Sequence, residues 1–235
     1  MSVDARIARG GVLVIWAIFF GVLWETGASA RYLGSRTQWI VPFGTVVLAL
    51  AALVYAYGYL RARRGGPALT LREASGLFAL LVPLAAVLLV PHAALGSFAA
   101  SRKGNGLHFL SARQSAPSKP SDASFLDIRM AEGDTAFAAQ AGIKPGLRVH
   151  LLGFVSGSSD VPRGTVEIAR FYIACCVADA QPVGVPVDAG RRTFAKDTWL
   201  DVTGSLERRG RRFVVKGERI VAAKEPSQPY LSFRT

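Results

Sequence analysis

Charge and cysteine are what this sequence has least of. Only 19% of its 235 residues are charged, against about 25% in an ordinary soluble domain. Meanwhile 51% are hydrophobic and the mean hydropathy is +0.30, which excludes a largely disordered chain. The two cysteines are neighbours, Cys175 and Cys176, so a disulfide-built scaffold is excluded as well. Acidic residues are scarce in the first half: residues 1–111 hold 3 Asp/Glu beside 10 Lys/Arg, whereas residues 112–235 hold 13 beside 18. Catalytic signatures are missing too. There is no His-Glu-x-x-His, no Gly-x-Ser-x-Gly and no phosphate-cradling glycine loop, so an enzyme is not expected. No internal repeat is present.

The net charge of +12 and the pI near 10.4 call for an anionic partner, either lipid headgroups or nucleic acid. The charge-free runs decide between them. Residues 10–24, 37–60 and 74–101 carry no Asp, Glu, Lys or Arg, and a spanning helix needs about 20 apolar residues. The second and third runs meet that length directly. The first spans if Glu25 lies at the far interface. Its rival reading is a secretory signal, with Arg6 and Arg9 before the apolar stretch and Ala28-Ser29-Ala30 as an A-x-A site. Trp16 and Trp24 suit interfacial anchoring and favour an uncleaved helix. The expectation is a membrane domain over 1–100 with helices near 10–30, 37–60 and 75–98, embedded in the lipid bilayer.

Arginine placement sets the orientation. With the amino terminus in the cytoplasm, Arg6, Arg9, Arg61, Arg63, Arg64 and Arg72 lie inside, against Arg31, Arg36, Arg102 and Lys103 outside. Three spans then leave the second half extracytoplasmic, where it has no nucleic acid to bind. On this layout Glu25 and His92 are the ionisable groups nearest membrane depth, both close to the outer boundary. They are candidates for contact with a substrate or partner, though each can also snorkel to water. Pro83 and Pro91 are expected to kink the third helix.

Residues 101–124 are rich in Ser, Pro, Gly and Lys and read as a flexible tether. A short helix is expected over 134–141, stopped by Gly142 and Pro145. Five β-branched or aromatic runs follow at 147–156, 165–176, 182–188, 198–206 and 212–223. Bulges are plausible at Gly153 and Gly204, and residues 207–211 form an exposed hairpin turn. Five short strands in about 80 residues indicate a small all-β, OB-like barrel spanning 125–235. The short connection 189–197 lacks the helix such barrels often carry there. Arg208, Arg209, Arg211 and Arg212, with Phe171, Tyr172 and Phe213, form the pattern of a base-stacking surface, but a solvated hairpin tip explains them more simply. Asp197 and Asp201 flank Trp199 at two-residue spacing, the pattern of a polar outer face around a core ring.

The segment 170–182 carries the sharpest signal: Arg170-Phe-Tyr-Ile-Ala-Cys175-Cys176-Val-Ala-Asp179-Ala-Gln-Pro182. Two thiols end a strand and a carboxylate follows three residues on. Neighbouring strand side chains point oppositely, so both thiols meet one partner only if the chain turns. Three readings stand side by side: small buried residues, a vicinal disulfide, or thiolate ligands for a soft metal with Asp179 adding an oxygen. The cofactor is therefore unknown, a thiophilic divalent metal such as zinc being the one the residues allow. Arg170 is the nearest cation in sequence.

Here the sequence resembles the YcgQ-like family of permease subunits. The likeness lies in Gly153-Phe154-Val155, the Cys-Cys-x-x-Asp-Ala core of 170–182, Asp197-x-Trp199, Val202-x-Gly204-x-Leu206 and Pro226-x-x-Pro229-Tyr230-Leu231. It extends to Pro91 and to Leu95-Gly96-Ser97. The resemblance implies a membrane-anchored accessory subunit working with a separate multi-span permease, for a metal or another small solute. The alternative is a membrane-tethered thiol, metal-binding or redox protein acting without a permease.

Overall fold

The computed structural model describes residues 4–61, 67–89, 95–103, 115–158 and 161–232. The chain divides into two compact units, Met1–Ala93 and Ala94–Thr235.

In the first unit, helices α1 (Ala5–Thr26), α2 (Ile40–Arg61) and α3 (Leu71–Leu89) are long and apolar enough to cross a membrane. Their apolar side chains lie almost wholly on the outside, as expected when lipid rather than water is the solvent. α1 packs on both α2 and α3. Gly10 faces the Tyr55 ring and Gly44 the Phe20 ring, so α1 and α2 approach closely. Arg9 of α1 pairs with Glu73 of α3 at 2.5 Å. α1 stops earlier than the sequence indicates: Gly27 takes φ +64° and closes the helix, and Ala28–Arg31 form a 3-10 turn. Glu25 thus lies in the last turn of α1, exposed. His92 and Pro91 lie outside the described residues.

The expected third span also ends sooner. Residues 97–98 are not part of α3 but open a separate helix, α4 (Ser97–Lys103), which belongs to the second unit. Of the expected tether 101–124, residues 101–103 are helical, 120–122 form a 3-10 turn and 104–114 lie outside the described residues.

The second unit is a closed five-stranded OB-like barrel in the order β1-β2-β3-β5-β4, with β4 returning to β1. The strands are β1 (Arg148–Val155), β2 (Thr165–Tyr172), β3 (Gln181–Asp188), β4 (Trp199–Arg209) and β5 (Arg212–Ala222). All pairings are antiparallel except β3 with β5, which meet only at Val187–Val215 and Asp188–Lys216. Most of β3 therefore has a free edge on that side, which is where Pro182 and Pro186 are tolerated. β4 and β5 run to a two-residue turn, with Arg209 opposite Arg212, so the hairpin tip is tighter than expected. A bulge falls at Thr203/Gly204, where a Cβ on Gly204 would sit 2.1 Å from the Lys216 carbonyl oxygen. Gly153 keeps regular register with Leu200 instead.

Val149, Leu151, Ile168, Val185, Leu200 and Val202 fill the barrel. A helix not expected from the sequence, α5 (Phe125–Gly133), adds Phe125, Leu126 and Ile128 to the same core. Its start is fixed by a capping box, Ser124 with Asp127. α6 (Thr135–Gln140) follows, within the helix expected at 134–141. Glu132 of α5 accepts the Phe213 amide at 2.7 Å and pairs with Arg129, tying the helix to β5.

Candidate functional site

β2 ends at Tyr172, three residues before the first cysteine. Ile173 is still held, its amide donating to the Leu231 carbonyl at 3.3 Å. Beyond it the chain turns, and one side chain fixes the turn. Asp179 Oδ1 accepts the Ala174 amide at 3.1 Å, while Oδ2 accepts the amides of Cys175 at 2.8 Å and Cys176 at 3.4 Å. Three consecutive N–H groups converge on one carboxylate, a small anion nest closed by the chain's own side chain. Cys176 then opens a 3-10 turn, Val177–Asp179, which the Asp179 amide closes by donating to the Cys176 carbonyl at 3.0 Å, with the Cys176 sulfur beside the same amide. Beneath the turn Ile173 and Ala180 are buried beside Phe171.

Both cysteines are thiols, Cys175 exposed and Cys176 half-buried. They lie within hydrogen-bonding reach of each other. Desolvation, the Cys176 sulfur and the Asp179 carboxylate together push the Cys175 thiol above its ordinary pKa. Asp179 is committed to the backbone rather than turned toward a shared ligand. Among the described residues, no group of three or more His, Cys, Asp or Glu is placed to hold a metal ion. What the turn offers a soft ion is thus two sulfurs.

Arg170 is directed elsewhere. Its Nε donates to the Pro229 carbonyl at 3.0 Å, and Nη2 reaches the carbonyls of Gln228 and, at 3.4 Å, Tyr230. It clamps the segment 228–231, whose Leu231 amide donates to Phe171 at 2.8 Å. Arg170 therefore positions the segment 228–231, which meets β2 through an isolated bridge from Leu231 to Tyr172, rather than activating a thiol. Burial lowers its pKa from the usual arginine value.

A second constellation meets the thiol turn from the other side. Phe154 stacks on Phe171 with centroids 5.6 Å apart and meets Trp199 edge-on at 5.8 Å. These rings form an apolar face outside the barrel, and Leu95, Ala99 and Ala100 cover it together with Tyr230 and Val177. α4 is fastened there at both ends. Asp197, at φ +65°, accepts the Ser97 amide at 2.5 Å and the Ser97 hydroxyl at 2.8 Å. A Cβ on Gly96 would lie 2.4 Å from Asp197 Oδ1, so the approach requires glycine. At the other end Lys103 Nζ donates to the carbonyls of Ala178, within the 3-10 turn of the cysteine segment, at 3.1 Å and of Ala180, just after it, at 2.8 Å. Residues 95–97 and Asp197-x-Trp199, noted separately in the sequence, are thereby brought into contact. Neither Asp197 nor Lys103 carried a sequence signal for this role.

Asp201, Arg208, Arg209 and Arg212 have local partners, although Arg212 Nε is buried without a hydrogen bond among the described residues. Asp201 meets His150 Nε2 at 2.9 Å on the exposed face of β1 and β4. Arg208 lies over Phe213, Arg209 bonds Asp188 and holds its carboxyl below the usual range, and Arg212 reaches the buried Glu167 at 3.4 Å. Phe171 and Phe213 are each 1% exposed, Phe171 covered within the cluster outside the barrel and Phe213 within the barrel core, so neither ring is presented for stacking on a base.

Residues 145–232 match the family of the DUF1980 C-terminal domain, consistent with the resemblance carried by segment 170–182. The matched stretch includes the thiol turn, Asp197 and the segment 228–231. No curated protein matches the chain. Among solved structures, the S. pombe Stn1–Ten1 complex is similar at 16% identity and a TM-score of 0.26, covering 47% of this chain and 82% of that one.

Proposed function

We propose that this membrane-associated chain is an accessory subunit of a multi-span permease. Its barrel lies on the extracytoplasmic side and offers Cys175 and Cys176 to a soft metal ion or another thiophilic solute. The observation that carries this reading is the Asp179-capped turn, which holds two neighbouring thiols at the surface through three backbone amides. Closed sites with four protein ligands retain their metal. A two-sulfur site leaves coordination positions open, which suits receiving an ion and passing it on. Uptake of one ion by two thiols releases two protons, so a thiophilic ion competes with protons rather than with other protein ligands. The three helices of spanning length among the described residues are too few to enclose a transport path of the repeated-bundle kind, which supports the reading that a partner supplies it.

The full-length chain in mild detergent tests the binding step. Titration with silver ion is expected to saturate near one ion per chain and to fail in the double variant Cys175→Ser/Cys176→Ser. Binding that survives in the double variant overturns the thiol site. Gentle solubilisation of native membranes tests the partnership: a multi-span membrane protein should be retained with the chain, whereas isolation alone favours the tethered thiol protein without a permease. Labelling of intact cells with a membrane-impermeant maleimide, repeated after permeabilisation, reports the sidedness of the turn.

A further inference from the structure

We infer that the Cys175–Cys176 turn selects a soft monovalent ion of the copper(I) or silver(I) kind, held by its two sulfurs alone, and discriminates against zinc, an inference that rests on the thiol turn being the ligand-bearing element. The donor count is fixed by the turn itself. Asp179, the carboxylate nearest the thiols in sequence, engages both oxygens with the amides of Ala174, Cys175 and Cys176. Drawing it onto an ion would strip three N–H groups of an acceptor. Among the described residues no group of three or more His, Cys, Asp or Glu is placed to hold a metal. Zinc takes four protein ligands in closed sites and three in open ones, and two sulfurs meet neither demand. A copper(I)-type ion prefers thiolates and is satisfied by two of them in a near-linear arrangement.

The spacing suits such an ion. The chain bends at Ala174 and Cys175, and the two thiols lie within hydrogen-bonding reach of each other. At a metal–sulfur distance like the about 2.3 Å of zinc, one ion holds two sulfurs at most about 4.6 Å apart. An ion can therefore enter between them while the Asp179 cap stays on its three amides. Capture breaks two S–H bonds and forms two S–metal bonds; both protons pass to water and no electron moves. The product carries one net negative charge. Lys103 Nζ, bonded to the carbonyls of Ala178 and Ala180, holds a positive charge beside the turn. A two-coordinate ion remains open to attack by a further sulfur, so an acceptor thiolate can take it from the turn without first setting it free.

The full-length chain, reduced and in mild detergent, gives the test. It is loaded anaerobically with copper(I) from a bathocuproine disulfonate buffer and challenged with zinc. One copper per chain is expected, and zinc at about hundredfold excess should displace less than about a tenth of it. X-ray absorption at the copper edge should show two sulfur neighbours and no third ligand atom. Amide exchange at 174–176 should stay as slow in the loaded protein as before, because Asp179 keeps its place. Zinc that displaces copper at equal concentration, and is itself lost in Cys175→Ser/Cys176→Ser, overturns the ion class and leaves the thiol site standing. A third ligand atom in the spectrum, or one copper shared by two chains, overturns the two-sulfur geometry within one turn. Copper that the double variant retains, or that the wild type fails to bind, overturns the ion class and the thiol site together. The spectrum is read on the wild type, so the geometry is tested whether or not the variant folds.

Discussion

Asp197 receives Ser97 through both carboxylate oxygens, the amide at 2.5 Å and the hydroxyl at 2.8 Å, from a backbone held at φ +65°. Asp197→Ala removes both bonds and leaves a Cβ in the left-handed region without the local hydrogen bonding that makes Asp tolerable there. A loss of about 2 kcal/mol from the barrel unit is expected, since hydrogen bonds to charged groups contribute about 1.5–3 kcal/mol. Asp197→Asn keeps an acceptor and should lose less. Urea unfolding of the full chain, followed by near-UV circular dichroism, reads both.

Gly96→Ala attacks the same contact from the opposite side, because the added methyl would stand 2.4 Å from Asp197 Oδ1. Overpacking of this kind costs about 1–3 kcal/mol. The two variants should not add: with the carboxylate gone, Gly96→Ala is expected to be nearly silent. A double-mutant cycle measures this, and a coupling below about 0.5 kcal/mol would show that the contact is not formed.

Asp179→Ala deprives three amides of one acceptor. Amide exchange at Ala174, Cys175 and Cys176 should quicken by an order of magnitude or more, while β2 up to Tyr172 keeps its protection through β3. The expected cost in stability is about 1–2 kcal/mol, because the turn is partly solvated and water replaces some of the lost bonds. Unchanged exchange at these three amides would remove the capping role.

The barrel was legible in the sequence and the seat of α4 was not, and the reason is physical. The run 198–206 buries alternate residues, and period-two patterning survives without any tertiary knowledge; in 212–223 the consecutive Phe213, Val214 and Val215 are all buried, and it is their β-branched and aromatic character that marks the strand. Strand ends were less legible: β4 runs on to Arg209, whose guanidinium is held by Asp188 at the end of β3 and by Glu207 of β4 itself. Residues 97–101 read as the end of a span because Ser-Phe-Ala-Ala-Ser is apolar and uncharged. Nothing local distinguishes an apolar segment covering Phe154 and Trp199 from one facing lipid. α5 had a readable cap, Ser124-x-x-Asp127, but its mixed composition gave no helical stripe. In the thiol segment, the turn was legible from Asp179 and Pro182. The destination of the Asp179 carboxylate was not, because three backbone amides leave no residue-type signature.

Glu132 provides a pH test of how α5 is held. Burial raises its pKa above the ordinary glutamate value, against the opposing pull of Arg129 and the Phe213 amide. A carboxyl whose folded pKa is raised contributes stability that is fully present below the unfolded value of about 4.3 and is lost as pH rises through the folded value. Glu132→Gln removes that titration. The variant's melting temperature relative to the wild type should therefore climb as pH rises from about 4 toward neutrality, whatever the offset at the acid end. A difference that is flat or falls with pH would contradict the buried carboxyl.

The Cys175 thiol gives the last test, because its environment separates two chemistries that both use cysteine. Thiols that act as catalysts have lowered pKa values, from a nearby cation or a helix start. Cys175 has the opposite surroundings: desolvation, the Cys176 sulfur and the Asp179 carboxylate all push its pKa up. Less of it is thiolate at pH 7 than in an ordinary cysteine of pKa about 8.5. Its maleimide labelling should start slow at pH 7, rise by about tenfold per pH unit, and level off only above the pH where a model thiol does. Asp179→Asn removes one of the raising charges and should move the whole profile toward lower pH. A plateau reached by pH 8 in the wild type would mean a reactive thiolate and would favour redox chemistry over ion capture. A raised pKa is compatible with capture, since a thiophilic ion displaces the proton directly and the resting thiols stay inert until one arrives.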